Sequence, residues 1–347
     1  MPGDSDSPAS GVRRTVRLHR VARRAGVAKS TASAALNGRP GVSPATRERV
    51  LAAARELGFR PDAVARTLRT GHTPAVGLIV DPKAYALDSR LAEALTMRYL
   101  LSVMEELSLS GVPVYQVTLP RLEVMGNLPI SAIQIVTVEP VVTLPDGFAF
   151  GLPVFHSAGT LNHNGPSVWV RHDFPALLAE VMDHFIAEGA QRPALIPRDG
   201  PTTWGEEITD AYRNWCISNG RDPIVCPSRG EPRQIADLAS ELIGDQGVDA
   251  VFSLVGECPS LLAGARRAGK AVPEDVLIAG FGDGAAEAMM TPPATVMSMC
   301  GIENGKLVAA ALVHGLTTDE WPSEIRASHR LVVRASSMRS TTAQSPG

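Results

Sequence analysis

The chain has 347 residues, 44% of them hydrophobic and 20% charged, which is the profile of a globular protein with room for two or three domains. No apolar run reaches the ~18 residues of a membrane span, and Cys216, Cys226, Cys258 and Cys300 form no CxxC pair, so the cysteines are read as free thiols in a reducing compartment. The net charge of −3 is unevenly spread: residues 12–72 hold 14 Lys+Arg and 3 Asp+Glu, while 73–347 holds 19 basic and 31 acidic residues. A basic head on an acidic body predicts a polyanion partner for the head alone.

In chain order, residues 1–11 are polar, with no apolar core of a secretory signal, and read as a disordered tail. These features together predict a cytoplasmic protein. Between Leu18 and Leu57 three short helices are expected. Val21, Ala22 and Ala25 mark the first, which Gly26 ends; Ala32, Ala35 and Leu36 mark the second, which Asn37-Gly38 ends. The third opens at Ser43-Pro44, an N-cap followed by proline at the first helical position, and Gly58 stops it. A further short segment, AVARTLRT, lies between Asp62 and Gly71.

After Pro74 the texture changes. AVGLIV (75–80) is a continuous apolar run, as in a strand buried on both faces, and similar runs follow at 112–117, 132–138, 152–155, 194–196, 250–254 and 276–281. Helical stretches at 89–109, 175–188, 205–219, 233–244 and 260–268 alternate with them. This alternation predicts parallel α/β sheets, and the length suggests two lobes. Residues 336–347 read as a second disordered tail.

Two helices joined by a tight turn, the second presented outward, make a helix-turn-helix. The turn needs a residue at φ > 0, which Gly26 supplies. Arg13, Arg14, Arg17, Arg20, Arg23, Arg24 and Lys29 surround it, placed to reach phosphates. The competing reading is a solvated helical domain with no ligand.

The stretch VARRAGVAKSTASAALNG, followed by PGVSPATRERVLAAARELGFRPDAVARTLRTG, resembles the DNA-binding signature and hinge of the lac repressor/galactose repressor (LacI/GalR) family. The likeness is close over about 16–80 and rests on layout elsewhere. It implies an all-α helix-turn-helix headpiece (12–60), a hinge helix and linker (61–73), and a two-lobe body resembling periplasmic binding proteins (74–335). The first lobe would span about 74–168 and 298–322, the second about 169–297 and 323–335, with three crossovers between them.

By the same resemblance, Lys29, Ser30 and Ala34 fall where the family reads base edges. Thr31, Ser33, Asn37, Arg66 and Arg69 fall near the DNA backbone, to which Arg20, a departure from the family, adds phosphate attraction of its own. Ala65 and Leu68 fall in the minor groove, Leu68 as an apolar wedge. A hinge too short to be helical alone would fold on double-stranded DNA against its twin. That implies a homodimer, a repressor holding a bent pseudo-palindromic operator. Ala28 stands where the family has a serine N-cap, and Arg20 where it has an acidic residue.

In the body the family binds a small effector between the lobes. Three of its usual polar positions fall here near Ile208, near Val255-Gly256 and at Gly282, so a typical sugar is not the expected ligand. Asp81, Tyr85, His156, Asp173, Trp204 and Asp283 are the candidates to line the cleft. Two versions stay open: a less polar metabolite, or a vestigial cleft that serves dimerisation only. Between Val117 and Ala132 the first lobe is too short for a full helix.

Other classes fit less well. Gly280, Gly282 and Ala285 match GxGxxA, a dinucleotide-binding turn, but Pro292-Pro293 cut the following helix short. His156, His163 and His172 have no spacing that sets two on one helix face, so no metal is expected. No GxSxG, HExxH or Walker loop occurs, and neither an enzyme nor a cofactor is expected. A secreted sugar-binding protein would share the body but not the basic head.

Overall fold

A computed structural model describes residues 18–36, 41–57, 59, 74–82, 90–119, 121–122, 125, 128–137, 141–145, 148, 151–157, 160–163, 165–200, 203–255, 257–282 and 285–339. The expected hinge at 61–73, with Ala65, Arg66, Leu68 and Arg69, lies outside them, as do Asn37, Tyr85 and Asp283.

The described residues of the head form three helices: α1 (Leu18–Ala25), α2 (Lys29–Leu36) and α3 (Pro44–Glu56). Their inner faces are built from small residues, so the axes approach closely. Val21, Ala22 and Ala25 of α1 meet Ala32, Ala35 and Leu36 of α2, and Val50, Leu51, Ala53 and Ala54 of α3 close the core. Ser43 caps α3, its Oγ accepting from the Thr46 amide at 3.3 Å, with Pro44 in the first turn.

The body begins at β1 (Ala75–Val80), every residue of which is buried. Then come α4 (Arg90–Leu109), β2 (Val114–Thr118), β3 (Ile130–Val136), β4 (Val141–Thr143), β5 (Val154–His156), β6 (Thr160–Asn162) and β7 (Ser167–Arg171). The chain continues through α5 (Phe174–Ala187), β8 (Pro193–Ile196), α6 (Thr203–Ser218), α7 (Pro232–Gly244), β9 (Ala250–Ser253), α8 (Cys258–Arg267) and β10 (Leu277–Phe281). It ends with α9 (Ala285–Ala288), β11 (Thr295–Ser298), α10 (Gly301–Thr318), β12 (Glu324–Arg326), β13 (Arg330–Val332) and a 3-10 turn at Ala335–Ser337.

Two sheets result. The first lobe has the order β12-β7-β5-β3-β1-β2, with all pairs parallel. The second has the order β13-β11-β10-β9-β8, parallel except where β13 runs against β11. Bridges from Leu195 to Val225 and from Arg198 to Ser228 extend its β8 edge. The elements of α5 show why they form: Asp173 caps the helix, and Phe174, Leu177, Leu178, Val181, Met182 and Phe185 recur at helical spacing and are all buried.

The first lobe is asymmetric. On one face α4 and α10 pack together, and Ser102 Oγ donates to the Ile302 carbonyl at 2.9 Å. On the other face the described residues between β2 and β3 make only 3-10 turns, as their length implies. Leu122 and Met125 from that segment, with Val142 and Leu144 of the β4 region, cover Ile79, Ile133 and Ile135 instead. The two-stranded β4-β6 sheet completes this layer.

The chain crosses between lobes three times: after Arg171, after Ser298 and after Arg326. The first and third crossings fall a few residues later than the expected 168/169 and 322/323, because β7 runs on to Arg171 and β12 pairs with it. Ordered packing also continues past 335, where a tail was expected. Ser336 and Ser337 are fully buried, Ser336 Oγ donates to the Ile278 carbonyl at 2.6 Å, and the Arg339 amide donates to Glu188 at 2.8 Å.

Candidate nucleic-acid interface and interlobe cleft

Gly26 sits at φ +66° between α1 and α2, with open space where a Cβ would be. The demand is therefore on backbone conformation, not on room. The Val27 amide donates to the Ala22 carbonyl at 3.0 Å and closes the turn. Burial of Ala32, Ala35 and Leu36 fixes the rotation of α2. Lys29 and Ser30 are then fully outward, and Thr31, Ser33 and Ala34 lie half-buried along the flanks.

Arg20 and Arg23 are exposed on α1. Arg24 is exposed too, but its guanidinium pairs with Glu56 of α3 at 2.7 Å, so one of the expected phosphate-reaching arginines also ties α1 to α3. Arg47 of α3 donates to the Ala35 carbonyl at 3.1 Å and satisfies the end of α2. The start of α2 has no such side chain: the Ala32 amide donates to the Ala28 carbonyl at 2.9 Å, but Ala28 has only a methyl to offer.

In the body, the crossings after Arg171, Ser298 and Arg326 leave from the carboxyl ends of strands. The carboxyl edges of both sheets therefore flank the hinge, where open α/β sheets place their ligands. On the first-lobe edge stand Asp81, Thr137 and His156, after or at the ends of β1, β3 and β5, and all three are buried. Thr137 Oγ1 donates to Asp81 Oδ2 at 2.9 Å, and His156 Nε2 lies 2.8 Å from Ser167 Oγ.

On the second-lobe edge, Trp204 in the first turn of α6 lies parallel to Phe281 at the end of β10, with ring centroids 5.8 Å apart. Both rings are partly exposed and rest on the lobe's core. Of the cleft candidates, Asp81, His156 and Trp204 thus stand at carboxyl edges. Asp173 is an exposed helix cap, its Oδ1 accepting from the Ala176 amide at 3.0 Å. Sequence reading missed Thr137 and Phe281. Phe281 sits inside the Gly-Phe-Gly stretch already singled out for its glycines, and the ring between them was the overlooked signal.

Ile208 and Val255, near two of the family's usual polar positions, are core residues with no exposed face. The glycine-rich stretch has a packing role: a Cβ at Gly280 would collide with Cys258 Sγ of α8. The helix after it, α9, is a single turn, too short to carry a pyrophosphate at its N-terminus. Among the described residues no group of His, Cys, Asp and Glu is arranged to hold a metal, and no helix is long and apolar enough to cross a membrane.

Comparison with known proteins agrees with this geometry. Residues 17–62 match the family described as bacterial regulatory proteins, lacI family, and residues 182–337 match the periplasmic binding protein-like domain. The chain is 28% identical over 341 residues to the HTH-type transcriptional regulator CelR of Thermobifida fusca, covering 93% of this chain and 99% of that one. It is 46% identical over 65 residues to catabolite control protein A of Priestia megaterium, 19% of this chain and 20% of that one. Among solved structures, the lac repressor dimer bound to operator and the anti-inducer ONPF superposes with a TM-score of 0.62 at 17% identity, covering 94% of this chain and 100% of that one. A CelR–cellobiose complex superposes with a TM-score of 0.60 at 25% identity, covering 92% and 99%. The chain thus joins a lacI-type helix-turn-helix head to a periplasmic-binding-protein-like two-lobe body, and in both parts it is similar to LacI-family DNA-binding transcriptional regulators.

Proposed function

We propose that the protein is a homodimeric repressor that holds a bent, pseudo-palindromic operator. The observation that carries this reading is the outward face of α2, where only Lys29 and Ser30 are exposed and Ala34 offers no more than a methyl group. Direct base readout by so sparse a face is modest. Specificity then falls to Ala65 and Leu68 in the minor groove and to the deformability of the operator centre. Arg20, Thr31, Ser33, Asn37, Arg66 and Arg69 hold the DNA backbone and provide the salt-dependent part of the affinity.

Leu101 of α4 is 63% exposed beside the partly buried Met97 and Met104, and this face supports docking of the second copy there. Selection of bound sequences from a random DNA pool tests the operator: a palindrome with a flexible centre is expected, and a single unrepeated half-site would refute the dimeric reading. Leu68→Ala should weaken binding to the selected sequence far more than binding to random DNA. Equal loss of both excludes the wedge. Leu101→Glu should yield monomers in sedimentation.

For the cleft, the Trp204–Phe281 pair supports a small, partly apolar ligand that stacks on the second lobe. The cellobiose-bound relative makes that disaccharide the first compound to try, although the polar positions lost at Ile208 and Val255 favour a less hydroxylated ligand. A vestigial cleft is the second reading, favoured by Asp81 and His156 already being engaged with Thr137 and Ser167. A thermal-shift survey of metabolites including cellobiose separates the two, because a true ligand stabilises by mass action.

A further inference from the structure

The first and third crossovers are tied together through their backbones. After Arg171 and after Arg326 the chain runs side by side, and the Ala327 amide donates to the Arg171 carbonyl at 2.8 Å. His172 follows Arg171 directly on the first crossover, and His329 lies three residues after Arg326 on the third. The two imidazoles are close enough that a charge on His329 disfavours a charge on His172. On both rings Nδ1 is buried and has no hydrogen-bond partner.

The surroundings do little to welcome a second positive charge. His172 lies against the Phe174 ring, with centroids 5.6 Å apart. From α5, Glu180 reaches within 3.8 Å of His329 Nε2. The other charged groups nearby have partners. Asp173 caps α5, Arg330 faces Glu303 of α10 at 3.7 Å, and Arg171 faces Glu324 of β12 at 3.9 Å. No carboxylate among those named stands at salt-bridge distance from His172, so a charge on that buried ring would be poorly compensated.

We propose that His172 makes the interlobe hinge responsive to acid: its protonation beside His329 favours an arrangement in which the first and third crossovers separate and the His172 ring is hydrated. The proposal does not depend on whether the cleft takes a ligand. Burial, with His329 nearby, lowers the His172 pKa from the ordinary 6.5 to about 4 in the packed arrangement. If the hydrated ring titrates at its ordinary value, acidification to about pH 5 raises the ratio of separated to packed arrangements roughly 30-fold from His172 alone.

The test uses the full chain with spin labels at Ser108→Cys on the first lobe and Lys270→Cys on the second, in a Cys226→Ser background, diluted with unlabelled protein. Distances between the labels are measured from pH 8 down to pH 5, with circular dichroism confirming that the chain stays folded. The interlobe distance distribution is expected to shift on acidification, with its midpoint below pH 6.5, and the shift should vanish in His172→Gln/His329→Gln. If that variant does not fold, His329→Gln alone should reduce the shift. A distribution that is flat in the unsubstituted hinge, or a shift that survives both histidine substitutions, overturns the proposal.

Discussion

Asn304 reads both backbone groups of Ser328: its Nδ2 donates to the Ser328 carbonyl at 2.9 Å while its Oδ1 accepts from the Ser328 amide at 2.8 Å. The same Nδ2 donates to the Met299 carbonyl at 2.6 Å. One buried amide on the first turn of α10 thus ties the second crossover to the third. Asn304→Ala would leave these backbone groups without that partner at a buried site, and a loss of about 2–4 kcal/mol is expected. Asn304→Asp keeps the acceptor but sets a carboxylate against two carbonyls, and it should be no milder. Urea unfolding of the full chain measures both.

Ala28→Ser should stabilise the head. The position before α2 has a backbone carbonyl already bonded to the Ala32 amide, so a hydroxyl there can serve the free amides of the first turn. The gain expected is about 1 kcal/mol. It is readable as roughly fivefold slower hydrogen exchange of the α2 amides, and unchanged exchange would mean that the first turn is satisfied another way.

Gly280→Ala should destabilise the second lobe by about 1–3 kcal/mol, because the added methyl collides with Cys258 Sγ in a packed layer. Cys258→Ala in the same chain removes the sulfur and should return part of the loss. A double-mutant cycle in thermal unfolding would show this coupling, and simple additivity would mean the strain lies elsewhere.

Stability should fall on the acid side through His172. Its pKa is ordinary, 6.5, in the unfolded chain and about 4 in the folded one. Between these values the unfolded chain binds a proton that the folded chain does not, so stability drops as pH falls from 6.5 towards 4 and is unaffected by this group above 6.5. The ceiling of the effect is about 3 kcal/mol. The difference in unfolding free energy between the natural chain and His172→Gln, followed across that range, isolates it. A constant difference would exclude a depressed His172.

Phe281→Ala should remove the face on which Trp204 lies and leave the lobe's inner core largely intact, since Phe281 only borders it. Any thermal shift caused by a cleft ligand should shrink at least tenfold in apparent affinity, given about 1.4 kcal/mol for a lost aromatic contact. Trp204 fluorescence should change in the same variant.

The head was legible in the sequence because its signals are local. Gly26 announces a positive φ, Ser43-Pro44 a helix start, and the alanines of α1 and α2 an inner face, and each acts within a few residues. The alternation of apolar strands and helices likewise announced two parallel lobes, and the short spacing from Val117 to Ala132 announced a missing helix. The sequence did not announce what covers that face in its place, since Leu122 and Val142 reach Ile79 and Ile133 only after β1 and β3 have paired. Nor did it announce β7 and β12, whose pairing moved two crossovers along the chain. The hinge chemistry was the least visible. Asn304 and Ser328 are brought together from different parts of the hinge by the pairing of sheets, and no spacing along the chain encodes a contact of that kind. Local conformation and burial pattern were therefore determined by the sequence itself, whereas the partners of its polar side chains were decided by the tertiary structure, because only folding brings distant donors and acceptors within 3 Å of each other.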